Sequence, residues 1–489
     1  MAPDNYDLEK PYRSWVAQLD IYLQGSGQEM AAFIKRFNAE LPSIEAWLDW
    51  AYDHETATTN RVRAPRLTAL LRNIYEMTDV MRLKRDRFKL ACACALRCGD
   101  REGEANVLKV MGDLLMRVDD LSGARASYEK ALTIYSEIEN RLGEANVLQA
   151  MGDLLMRVDD LAQARGKLEE ALPIYREIKD RLGEANVLQA MCDLLMRVAD
   201  LSGARAKLEE VLSIYREIKN RLGEANVLRR IGDLQMRVAD LPGARASYEK
   251  ALTIYREIEA RLGEAHVLQA MGDWLMQKKE LSEARAKLEK ALPIYRKIEY
   301  RLGEANVLRN LGQLLIEEGK PEEAIDQLRA AWEIHSDIYD RIGFDTDLIY
   351  LGRALRAVDC PDQAVLICEQ ALLLAHGLGD QWNQALALED QGDAFNDLDE
   401  EEAAFAARWQ ARNLFQAIGD QFSDALDQSF AEIEKEIGED KFRLLIEELQ
   451  HHAEEIRSAA VAKLKPELAE NTLLREIEHL LRQFDQQNL

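Results

Sequence analysis

The sequence predicts an all-α solenoid of antiparallel helix pairs with helical caps at both ends, and three observations carry that prediction. A segment R-x-G-E-A-N-V-L opens at Arg101 and returns at Arg141, Arg181, Arg221 and Arg301, with RLGEAHVL at Arg261, always in a forty-residue step. Inside each block the apolar residues fall in two stripes at helical spacing. Small residues return at one fixed place in each stripe, where two helices must cross closely.

The block from Arg141 to Asp180 serves as the type. Val147, Leu148, Met151, Leu155 and Val158 make the first stripe, Asp159 and Asp160 interrupt it, and Leu161, Ala164, Leu168, Ala171, Tyr175 and Ile178 make the second. Each block therefore reads as two helices and a tight turn. Asp100, Asn140, Asp180, Asn220, Asp340, Asp380 and Asp420 stand at the joints, where an Asx side chain caps the next first helix. Pro242, Pro321 and Pro361 fall in the first turn of second helices, which has no N–H bond to lose. Pro173 and Pro293 lie inside second helices and should bend them. Gly112, Gly152, Gly232, Gly272, Gly312, Gly352 and Gly392 recur in first helices, with Cys192 as the exception, and an alanine row from Ala124 to Ala404 recurs in second helices. A helical glycine costs about 1 kcal/mol against alanine, so its return requires a packing reason.

The forty-residue step places blocks near 61, 101, 141, 181, 221, 261, 301, 341 and 381, with sequences that drift toward both ends. Residues 1–60 hold Trp15, Phe33, Phe37, Trp47, Leu48 and Trp50, enough apolar material for an N-terminal helical cap. Residues 421–489 read as two helices divided near Pro466, either a cap over the last repeat or a dimerisation segment whose seam is Leu474, Ile477, Leu481 and Phe484.

Charge and composition narrow the function. A net charge of -25 opposes a phosphate backbone, which excludes nucleic acid as a partner and favours a neutral or basic protein segment. No window reads as a membrane span, and residues 1–15 lack the apolar stretch of a secretory signal, so the cytoplasm is the expected address. Six cysteines, three of them crowded at Cys92, Cys94 and Cys98, fit neither a disulfide framework nor a metal site and read as buried filler. No phosphate loop, serine elbow or zinc-protease pair appears, so neither an enzyme nor a cofactor or metal is expected.

Leu148-x2-Met151-Gly152-x2-Leu155 followed by Ala164-x3-Leu168-x2-Ala171 resembles the tetratricopeptide pattern, in the longer forty-residue form of kinesin light chains and many bacterial signalling proteins. The resemblance covers residues 61–420. Two features depart from it: the usual aromatic positions are largely Leu or Met, and the late proline is absent. It implies a right-handed superhelix whose first helices line a concave channel, and hence a scaffold or adaptor holding another protein. Residues 31–100 are similar to the helical connector of STAND-type signalling ATPases, so the alternative is a ligand-sensing arm working with a separately encoded ATPase or effector.

Helical spacing, independently, nominates the residues on the polar side of each first helix. They are Asn106, Lys109, Asp113 and Arg117; Asn146, Gln149, Asp153 and Arg157; Asn186, Gln189, Asp193 and Arg197; and Asn226, Arg229, Asp233 and Arg237. His266, Gln269 and Asp273, then Asn306, Arg309 and Gln313, continue the rows. An asparagine side chain both donates and accepts, so such a row can pair with the main chain of an extended peptide. The competing reading is local: Asp153 and Arg157 would satisfy each other as an i,i+4 pair. Chaperone-binding members of the family, by the same resemblance, grip a terminal carboxylate at these positions. The aspartates of Asp113, Asp153, Asp193, Asp233 and Asp273 would repel one.

Overall fold

The forty-residue periodicity becomes helix pairs in the computed structural model, which describes residues 85–420, 422–465 and 471–486 together with Leu48 and Thr68. The N-terminal cap and the start of the first block lie outside the described residues. Among the described residues every regular element is an α-helix. Helix α1 (Arg85–Cys98) leads into pairs that keep the predicted step: α2 (Arg101–Arg117) with α3 (Leu121–Glu137), α4 (Arg141–Arg157) with α5 (Leu161–Glu177), and α6 (Arg181–Arg197) with α7 (Leu201–Glu217). Then come α8 (Arg221–Arg237) and α9 (Leu241–Glu257) in sequence, followed by α10 (Arg261–Gln277) with α11 (Leu281–Lys297) and α12 (Arg301–Glu317) with α13 (Pro321–Asp337). The last pairs are α14 (Arg341–Ala357) with α15 (Pro361–Leu378) and α16 (Gln381–Asp397) with α17 (Glu401–Ala417), followed by α18 (Phe422–Ile437), α19 (Glu439–Leu464) and α20 (Thr472–Gln486). Internal contacts divide the chain into one unit ending at Leu234 and another beginning at Gln235.

Local chemistry explains the ends of these helices. Asp100, Asn140, Asp180 and Asn220 each accept the N–H of the glycine three residues on, as the joints predicted. The second helices have the same device: Asp120, Asp160, Asp200 and Asp240 accept from Gly123, Gln163, Gly203 and Gly243. Each acidic pair that interrupts the stripes is thus a turn residue followed by a cap. The turn residues, among them Asp119, Asp159, Ala199 and Ala239, have φ near +60°, a conformation strained for any residue with a Cβ. Helices α5 and α11 continue through Pro173 and Pro293.

Packing follows the small-residue rows. A Cβ added at Gly152 would lie 2.7 Å from Leu168 and 3.6 Å from the Ala164 carbonyl, so glycine lets α4 rest on the alanine row of α5. In the unit ending at Leu234 one buried cluster runs from Ala105 through Leu148, Leu168 and Leu188 to Leu234. In the second unit, α19 and α20 lie on the last pairs. Ile477 is fully buried and Leu474 nearly so, in a cluster with Val365, Leu366 and Ile367. Arg457 of α19, also buried, reaches Glu369 and Gln391. The seam expected for a dimer is therefore occupied within the chain, at least at Leu474 and Ile477; the side chain of Phe484 lies outside what is described.

Candidate functional site

The most conspicuous motif, RLGEANVL, is spent on the fold. Its glutamate is buried at the joint and held by two arginines: Arg176 and Arg181 on Glu184, Arg216 and Arg221 on Glu224, and Arg256 and Arg261 on Glu264. Burial pushes the Glu224 and Glu264 carboxyls up, but the arginine hydrogen bonds outweigh it and hold both below the usual glutamate range. Its glycine makes room for an aromatic ring. A Cβ at Gly183 would fall 2.2 Å from Tyr175 of the preceding helix.

That tyrosine row ties the second helices to the polar rows of the first. The hydroxyls of Tyr135 and Tyr175 donate to Asn106 and Asn146 at 2.6 and 2.7 Å. Tyr175 also donates to Gln149 at 3.3 Å, and Tyr295 to Gln269 at 3.0 Å. In the block between them Gln189 donates to the Tyr215 hydroxyl at 2.8 Å, which leaves Asn186 exposed and, among the described residues, without a side-chain hydrogen bond. The His266 ring lies 5.8 Å from both Tyr295 and Tyr300.

The structure brings the nominated residues onto the first helices with none of them buried. Lys109 pairs with Asp113 at 2.7 Å and Arg229 with Asp233 at 2.8 Å, both at i,i+4 spacing. Asp113 also accepts from the Tyr128 hydroxyl, and Arg309 donates to Asn306 at 2.6 Å. The pair expected between Asp153 and Arg157 is replaced by a longer reach. Arg157 donates to the Met116 carbonyl at the end of the previous first helix, 2.6 Å away, and meets Asp119 at 3.2 Å. Arg197 repeats this on Met156. A helix C-terminus carries partial negative charge, which favours a guanidinium placed there. Arg117 and Arg237 are exposed, while Asn226, Asp233, His266 and Gln313 keep part of their surface toward solvent.

Adjacent first helices are also stitched to one another. Arg230 pairs with Asp193, Asn310 donates to Asp273 at 2.5 Å, and Arg353 holds Asp390 at 2.7 Å. The apolar-stripe reading passed over Arg230, Asn310 and Asp390. Their signal is the step itself, since the equivalent residue in near-copied blocks is Ala150, Ala190 or Ala270. Asp153 has no such partner. It touches solvent, yet enclosing protein pushes its carboxyl up to about 6, first by desolvation and then by the charge of Asp193, with Lys109 opposing. Among the described residues no group of three or more His, Cys, Asp or Glu side chains is placed to hold a metal, and no helix is long and apolar enough to cross a membrane.

Residues 103–177 and 263–336 match the model of the tetratricopeptide repeat family. The chain is a repeat protein of the tetratricopeptide type. No curated protein matches its sequence. Solved structures share the tetratricopeptide fold at low identity. A STAND protein with a tetratricopeptide repeat sensor from Pyrococcus horikoshii is similar at a TM-score of 0.51 and 16% identity, over 70% of this chain and 52% of that one. This chain therefore spans about half of that protein's length. The aspartyl phosphate phosphatase F of Bacillus subtilis is similar at a TM-score of 0.51 and 12% identity, over 71% of this chain and 94% of that one. The quorum sensor NprR of B. thuringiensis, in its apo form, is similar at a TM-score of 0.50 and 12% identity, over 71% and 99%.

Proposed function

We propose that this tetratricopeptide protein is a non-catalytic scaffold or adaptor that binds an extended peptide or protein segment along its first helices. One observation carries the reading. Amide and carboxyl side chains recur at matching places on successive first helices, stay open to solvent, and retain hydrogen-bonding capacity beyond what the fold uses. Asn186 is the clearest case, and Asn146 keeps its amide donors after accepting from Tyr175. The aspartate row Asp113, Asp153, Asp193, Asp233 and Asp273 would repel an acidic chaperone tail, so a neutral or basic segment is the expected partner. The cytoplasm is the compartment in which we place this work.

Asn186→Ala is the cleanest test, because Asn146→Ala also removes a tyrosine partner worth about 1 kcal/mol of stability. Binding of neutral, basic and acidic peptides is measured by titration to wild type and variant. The reading predicts that the basic or neutral peptide binds best and that Asn186→Ala weakens it several-fold. Tight binding of the acidic peptide alone would overturn the charge preference, and unchanged affinity in the variant would remove Asn186 from the site.

A second reading makes the chain the sensing arm of a STAND-type switch. The shared fold with a STAND sensor supports it. Capture of partners by wild type and by Asn146→Ala/Asn186→Ala/Asn226→Ala separates the two: a separately encoded ATPase lost by the variant favours the switch, and unrelated clients favour the adaptor.

A further inference from the structure

From α10 onward the arginine of the early joints gives way to Gln277, Glu317, Ala357 and Asp397, and at one of these joints a cavity opens. In the first unit, Arg157 and Arg197 each place a guanidinium on the terminal carbonyl of the preceding first helix, Met116 and Met156, beside Asp119 and Asp159. Between α10 and α12 both charges are reversed: Lys279 stands where those aspartates stand and Glu317 where the arginines stand. The two still pair, at 3.0 Å. The Met276 carbonyl, equivalent to Met116 and Met156, accepts only turn N–H groups of Lys278 and Lys279, so no guanidinium reaches it. A cavity of about 400 Å³ occupies this place.

The cavity is lined mostly by polar groups, among them Asn310, which donates to Asp273 at 2.5 Å. Gln277 and Gln313 contribute amides, Met276 its helix end, and Asp273 a carboxylate. Its only cation, Lys279, is already bound to Glu317. We propose that this cavity receives the arginine side chain of a partner segment, whose guanidinium takes the place that the chain's own arginine fills at the earlier joints. The inference rests on the peptide-binding reading above and names one side chain of that peptide. The carboxyl of Asp273 supports it: Asn310 gives it a neutral hydrogen bond, burial pushes it up to about 7 with Arg309 opposing, and a guanidinium beside it would draw it toward its charged form. A planar guanidinium can bridge a carboxylate and neighbouring carbonyls at once, which a point-charge ammonium does less well.

The test uses the full chain and a phage-displayed library of random linear heptapeptides. The control variant is Lys279→Asp/Glu317→Arg, which installs the arrangement of the earlier joints and fills the slot from within. Wild type should enrich peptides sharing one arginine, and changing that arginine to citrulline in the synthetic peptide should weaken binding tenfold or more. The variant, shown to be folded by circular dichroism, should bind the arginine and citrulline peptides within twofold of each other. Enriched peptides without a shared arginine, or a variant that still discriminates tenfold, would overturn this inference alone. Failure of wild type to enrich any peptide would overturn the peptide-binding reading and this one with it.

Discussion

Asp345 is fully buried, and one of its carboxyl oxygens has no hydrogen-bond partner. Asn383 donates to the other at 2.9 Å. Desolvation pushes this carboxyl up to about 7 despite that bond, with Asp380 adding to the rise. The folded value lies above the unfolded one, so the folded chain holds the proton more tightly. The stability this group supplies is complete below the ordinary aspartate range and is lost as pH rises through about 7. Asp345→Asn keeps an acceptor for Asn383 and removes the charge. It should therefore stabilise the second unit at pH 8 by on the order of 1–3 kcal/mol and change little at pH 5. Urea unfolding at the two pH values checks this, and an equal effect at both would contradict it. A second residue-scale prediction concerns Ala199, held at φ 58° where other turns carry Gly319, Gly379 and Gly419. Ala199→Gly should relieve that strain and raise stability by about 0.5–1 kcal/mol.

At the scale of the helix, the joints at Glu184, Glu224, Glu264 and Glu304 each depend on a first-turn glutamate clamped by arginines from two elements. Glu264→Gln should leave Arg256 and Arg261 with a weaker acceptor and cost about 1–3 kcal/mol near neutral pH. The Glu264 carboxyl is held below the usual range, so its contribution is present above the unfolded value and fades as pH falls through the folded one. The gap between wild type and variant should accordingly shrink toward pH 3. The helices themselves were legible in the residues: stripes, joint caps and the glycine and alanine rows all follow from spacing within one element. What connects elements was not. The Tyr135 to Asn106 bond joins residues 29 apart on two helices, and no period of a single helix displays that distance. The contact of Arg157 is hidden for the same reason, since its i,i+4 neighbour is visible in the sequence and the Met116 carbonyl is a backbone atom of another block.

Across the molecule, both units repeat one rule. Apolar stripes and the arginine–glutamate joints hold neighbouring pairs together, while the polar side of the first helices stays at least partly open to solvent. Part of each polar row is committed to tyrosine hydroxyls and helix-end carbonyls, as at Asn106, Asn146, Arg157 and Arg197. Placing a partner is the most direct trial of the account. A photo-reactive benzoylphenylalanine is introduced in two chains, by Asn186→benzoylphenylalanine on a first helix and by Glu209→benzoylphenylalanine on the exposed side of a second. Each is irradiated with a peptide that binds the wild type. The account predicts a cross-link from position 186 and none from position 209; cross-linking from position 209 alone would contradict it.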